Sequence, residues 1–180
     1  MAEVLLADAL RRRALDATVT SAGLLDAGRP ASPHSVTLMA ERGLDLSGHR
    51  SRPMTAEMLE AADLIVGMER RHVREAAVTA PDAWARAFTL PELARRATTA
   101  GPRADGQPVA DWLSVVVEGR TTRDHLGEVP SDEIADPIGR SLRTYRKCAT
   151  RLDELIEVVA DHLVPALPSE STPIIRSTTT

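Results

Sequence analysis

The run from Asp63 to Gly67, DLIVG, constrains this chain more than any other stretch. It is short and unbroken in its apolar character, and helix-patterned segments lie on both sides of it. A strand with no polar face must be covered on both faces, as in parallel sheets whose crossover helices pack above and below. Strand and helix patterns alternate along the rest of the chain, so the expected fold is α/β with a small parallel sheet between helical layers.

The other elements follow from periodicity and punctuation. Residues 2–15 carry Leu6, Leu10 and Ala14 on one helical face, with three arginines near the carboxyl end, where they suit the dipole. This helix opens the chain with no cap and no strand before it. Residues 17–22, ATVTSA, alternate and are β-branched, which predicts a strand. Ser32-Pro33 starts a helix that Gly43 closes, and Thr55 caps a short one. A helix over 69–78, a strand over 87–90, a helix over 91–97, a polar loop over 98–108 and a helix over 109–118 come next. Loop signals fill 119–137 and end in Asp136-Pro137. The last helix, 139–163, places Leu142, Tyr145, Ala149, Leu152, Ile156, Val159 and Leu163 on one stripe at spacings of three and four. Beyond Pro165 the Ser, Thr and Pro content predicts a disordered tail, so a domain over 1–164 and a tail over 165–180 are expected.

Composition narrows the function. Net charge is −4, from 22 basic and 26 acidic residues, so nucleic acid is not an expected partner. No run approaches a membrane span and no apolar leader opens the chain, which points to the cytoplasm. The single cysteine, Cys148, excludes an internal disulfide and any multi-thiolate metal site. The five histidines show no metal-ligand spacing with Cys148 or with one another. Trp84, Phe88, Trp112 and Tyr145 are the only aromatics, so the core must be aliphatic.

Six strings in one order carry a resemblance: SAG at 21–23, GRPASP at 28–33, ERGLDLSGHRSRPMT at 41–55, ADLIVGMERRHV at 62–73, FTLPEL at 88–93 and IADPIGRSLRTY at 134–145. Together they resemble the bacterial low-molecular-weight protein tyrosine phosphatases over residues 1–163. The resemblance implies a three-layer α/β sandwich and hydrolysis of a phosphomonoester on protein through a phosphocysteine, by a monomer or weak dimer. Asp136 stands where the family has its general acid. The family also opens with a short strand and a Cys-x5-Arg phosphate loop, followed by a helix that commonly starts Met-Ala-Glu. Here Met1-Ala2-Glu3 are the first residues, so the first central strand and the loop are missing. A translation start set ~12–15 residues late, the length of a short strand plus the loop, is the expected cause.

Phosphocysteine chemistry needs a thiolate at low pKa, a guanidinium for the equatorial oxygens and an acid for the leaving group. Only the acid candidate, Asp136, is present. Cys148 lies mid-helix with Glu154, not Arg, after five intervening residues, and reads as a small core hydrophobe. The chain as written is therefore expected to be inactive. The alternative is a pseudophosphatase that binds or regulates; arsenate reduction on the same fold would need resolving cysteines. The loop after SAG lacks an aromatic wall, and Ile138-Gly139 follow Asp-Pro where many members carry Tyr. The resemblance therefore leaves phosphotyrosine and phosphoarginine both open as substrates. His49 is expected to be structural, held by backbone or a carboxylate, and Trp112 to be a core anchor.

Overall fold

A computed structural model of the chain describes residues 1–24, 27–121 and 132–165. Its elements are α1 (Ala2–Arg12), α2 (Pro33–Ala40), α3 (Ala56–Ala61), β1 (Ile65–Gly67), α4 (Arg70–Thr79), a 3-10 helix (Pro81–Arg86), β2 (Ala87–Thr89), α5 (Leu90–Ala100), α6 (Val109–Val116) and α7 (Leu142–Leu163). The tail expected after residue 165, and residues 122–131 of the loop before Asp136, lie outside the described residues.

The sheet is parallel and two-stranded, with Ile65 opposite Ala87, Val66 opposite Phe88 and Gly67 opposite Thr89. Its two faces serve two clusters. The larger joins α1, α2, α5, α6 and α7 around Leu38, Met39, Phe88, Leu93, Trp112 and Ile156, with Val66 packed against it. The smaller holds Leu59, Ala76, Ala80 and Ala83, with Ile65 against it. Neighbouring residues of β1 thus face opposite layers, as the two-residue period of a strand requires. This is an α/β fold, helices above and below a small parallel sheet.

The helix signals hold where a side chain makes them. Ser32 accepts from Ser35 N at 3.2 Å, Thr55 from Met58 N at 3.3 Å and Thr89 from Glu92 N at 3.3 Å. Gly43, at φ 74°, turns the chain after α2 and lets Leu44 N reach Met39 O at 2.9 Å. Every stripe residue of α7 from Tyr145 to Leu163 is buried; Leu142 is half-buried. Gly67 has a different reason. A Cβ there would lie 3.0 Å from the Cβ of His72 and 3.2 Å from Val73, so β1 can approach α4 only without a side chain.

Three expectations need correction. Residues 17–22 form no ladder; Thr18 and Thr20 are exposed and only Val19 touches the core. Their alternation makes them able to pair, but no neighbouring strand in the described residues offers them an edge. The helix expected from 91 takes in Leu90 and runs to Ala100, and the polar loop after it is pinned. Arg103 N donates to His162 O at 2.8 Å and Arg103 Nε to Leu163 O at 2.7 Å. Trp112, 2% exposed, donates Nε1 to Gly101 O at 3.0 Å, a core anchor as expected. The 3-10 helix before β2 had no distinct sequence signal.

Candidate active site

The first turn of α1 is the centre of this region. Met1 is its cap residue and offers no side-chain hydrogen bond, so the first N–H groups of the helix point outward unclaimed by a cap. Glu3 ties that turn to two loops. Ser21 Oγ donates to Glu3 Oε2, and His49 Nδ1 lies 3.6 Å from the same oxygen. Arg52 Nε donates to Ser21 O at 2.7 Å, Gly23 N to Arg52 O at 2.9 Å and Met54 N to Gly23 O at 2.9 Å. The SAG and SGHRSRP strings are thus bound together around α1, with His49 and Arg52 as supports.

Asp136 comes to this end of the fold through a series of anchors. Ile134 N donates to Met68 O at 2.8 Å, just past the carboxyl end of β1, and Arg70 N donates to Glu133 at 3.0 Å. Asp136 itself is exposed, and its Oδ1 accepts from Ile138 N at 3.0 Å, which fixes the Asp-Pro turn. Cys148, in the second turn of α7, feels the charges of both Asp136 and the Met1 amine. Burial first, then Asp136, pushes that thiol's pKa up, and the amine offsets this only in part. A raised thiol pKa is the opposite of what a nucleophile needs, so Cys148 is a half-buried packing residue. Desolvation pushes the Met1 amine down, against Glu3 and Cys148. Burial likewise lowers His72, whose Nδ1 accepts from Glu69 N at 3.2 Å at the start of α4.

Behind the loop lies a buried ionic network that sequence reasoning missed. Arg70, 1% exposed, donates to Glu92 at 3.1 Å and Asp132 at 2.7 Å. Arg120 donates to Trp84 O, Ala87 O and Glu92, with its guanidinium 4.4 Å over the Phe88 ring. Arg120 Nε stands 2.9 Å from Glu92 Oε1 but at an angle that makes no hydrogen bond. Arg95 and Arg96 complete the network from the rim, on Asp132 and Glu92. The only available signal was Glu92 inside FTLPEL, an acid in an otherwise apolar string.

This end of the fold thus presents the exposed Asp136 carboxylate on its Asp-Pro turn, together with the amino-terminal turn of α1. Among the described residues no group of three or more His, Cys, Asp or Glu could hold a metal ion. Nor is any helix among them long and apolar enough to cross a membrane.

The family model described as low molecular weight phosphotyrosine protein phosphatase matches residues 1–101. The chain belongs to this family. A probable low molecular weight protein-tyrosine-phosphatase, EpsP of Ralstonia solanacearum, is 38% identical over 90 residues, which is 49% of this chain and 62% of that protein. The protein-arginine-phosphatase of Bacillus subtilis is 27% identical over 164 residues, 91% of this chain and 87% of that protein. The chain thus spans less than two thirds of EpsP but most of the arginine phosphatase. Among solved structures, the low molecular weight protein tyrosine phosphatase of T. tengcongensis gives a TM-score of 0.66 at 26% identity, covering 90% of this chain and 88% of that one. A YwlE arginine phosphatase variant with a phosphorylated active-site serine gives 0.64 at 25% identity, covering 88% and 83%.

Proposed function

We propose that this chain is the folded body of a cytoplasmic protein phosphatase that removes phosphate from tyrosine or arginine of a phosphorylated protein, without metal or cofactor. Asp136 is its general acid. A cysteine thiolate attacks phosphorus, the bond to the leaving group breaks, and Asp136 gives that group its proton. Water then cleaves the phosphocysteine, returning the thiolate and free phosphate and restoring the proton to Asp136. What supports this reading is the Asp-Pro turn: Ile134 N on Met68 O and Arg70 N on Glu133 anchor the residues that lead into it, and Asp136 is exposed.

The thiolate of this scheme is not among these 180 residues, which contain one cysteine, with Glu154 where the arginine would stand. The activity belongs to a chain in which a strand and a Cys-x5-Arg loop precede α1; the 180 residues alone turn nothing over. That same composition favours a second reading, a pseudophosphatase whose site binds without catalysis.

The test is to fuse the ~12–15 residues of a family strand and loop ahead of Met1 and follow para-nitrophenyl phosphate hydrolysis. The extended chain should turn over and the 180-residue chain should not, and Asp136→Asn in the extended chain should slow the rate by about 10²–10⁴. Turnover by the 180 residues alone, or a folded but inert extended chain, overturns the reading. The intact mass of the protein from its own cell then separates the two readings.

A further inference from the structure

The first half of α7 carries its charges against the helix dipole. Arg143, Arg146 and Lys147 lie in its first two turns, no acid stands in the first turn, and Asp153, Glu154, Glu157 and Asp161 crowd the carboxyl half. The acidic half is answered by Arg42 on Asp153 and by Arg12 and Arg13 on Glu157 and Asp161, but cations near a helix amino terminus are unfavourable, so the dipole does not account for the basic half. Packing does not account for it either, because Arg140, Arg143, Arg146, Lys147 and Arg151 are all exposed. Arg143, Arg146, Lys147, Thr150, Arg151 and Glu154 line one open depression of about 360 Å³. Glu41 answers Arg146 at 3.2 Å and Glu154 answers Arg151 at 3.4 Å. Among the described residues, Arg140, Arg143 and Lys147 have no carboxylate within ion-pair distance. A chain of net charge −4 thus holds one stripe in which three cations have no carboxylate partner among the described residues.

The stripe begins next to Asp136. Ile138, 67% exposed, stands between the acid and Arg140. We propose that this face of α7 docks an acidic stretch of the phosphoprotein substrate, with the phosphorylated residue at Asp136 and glutamates or aspartates running along Arg143, Lys147 and Arg151. The word substrate rests on the phosphatase reading; the docking surface does not. From Arg143 to Arg151 the helix rises about 12 Å. An extended peptide covers that in about four residues, so the complement is a short acidic run. The stripe is too short and too free of aromatics for a nucleic-acid track, and its one exposed apolar neighbour is too little for a membrane-seated helix.

The test uses a fluorescein-labelled peptide with four glutamates and its four-glutamine counterpart, titrated with the 180-residue chain by anisotropy. At roughly 50 mM NaCl the glutamate peptide should bind about tenfold more tightly, and the preference should shrink at roughly 300 mM. Arg143→Gln with Lys147→Gln should abolish most of it. Arg11→Gln with Arg74→Gln, the same loss of charge elsewhere, should keep it, and circular dichroism should show all variants folded. Equal binding of the two peptides, or a preference that survives Arg143→Gln with Lys147→Gln, overturns the proposal. Arg143- and Lys147-dependent binding to phosphatidylserine vesicles or duplex DNA that the acidic peptide does not compete with also overturns it. Glutamate-dependent binding by a chain whose extended form is inert leaves the surface standing and sinks the phosphatase reading; turnover indifferent to glutamates does the reverse.

Discussion

Replacing Glu92 by Gln removes one charge from a balanced interior. Arg70 and Arg120 have side chains 1% and 0% exposed, and Glu92 and Asp132 have side chains 1% and 4% exposed, so two buried cations face two buried carboxylates. Glu92→Gln keeps the volume and leaves the buried set one positive charge in excess. Glu92 also receives Arg96 from the rim, so three guanidiniums lose the negative charge they share, and one of its two acceptor oxygens becomes an amide donor. Breaking a buried pair from one side costs about 3–5 kcal/mol, because the remaining charge stays desolvated. That is a large share of the ~5–15 kcal/mol typical of a domain. The expected result is a midpoint fall of about 6–20 °C in thermal unfolding, and a lower urea midpoint with an unchanged m-value by circular dichroism. Adding Arg120→Met to Glu92→Gln restores neutrality, leaving Arg70 with Asp132. The double variant should therefore be more stable than Glu92→Gln alone. A cost below about 1 kcal/mol for Glu92→Gln, or a double variant as unstable as the sum of the singles, would refute the charge balance.

Gly67→Ala drives a Cβ to 3.0 Å from that of His72 and should cost about 1–3 kcal/mol in urea unfolding. Arg146→Gln, breaking an ion pair with Glu41 whose partners are 54% and 46% exposed, should change stability by less than about 1 kcal/mol in the same assay. Burial lowers the His72 pKa in the folded state, so the unfolded chain binds the extra proton and stability falls as pH drops below about 6.5. His72→Gln can keep the acceptor for Glu69 N without titrating; its melting temperature should fall less than the parent's between about pH 7.5 and 5.5.

Much of the helical part was legible because a helix is specified locally. Ser32, Thr55 and the stripe of α7 act through neighbours three and four residues away, and each behaves as its spacing predicts. The six strings identified the family before any contact was known, and Asp136-Pro137 marked the acid candidate. Residues 17–22 show the limit. Their alternation specifies a face, but a strand exists only when another edge receives its hydrogen bonds, and that is a property of two segments.

By itself, then, the sequence determined the layers, the helix boundaries to within a few residues and a core that is mainly aliphatic, with Phe88, Trp112 and Tyr145 buried in it. Only the tertiary structure decided that Arg70, Glu92, Arg120 and Asp132, distant along the chain, share one dry interior behind that loop. It also decided that Glu3 joins Ser21 and His49 around α1, and that the basic side of α7 stays in solvent while its apolar side closes the core. The physical reason is range. Periodicity and capping act within a turn or two, whereas desolvation and charge depend on everything that folds around a group.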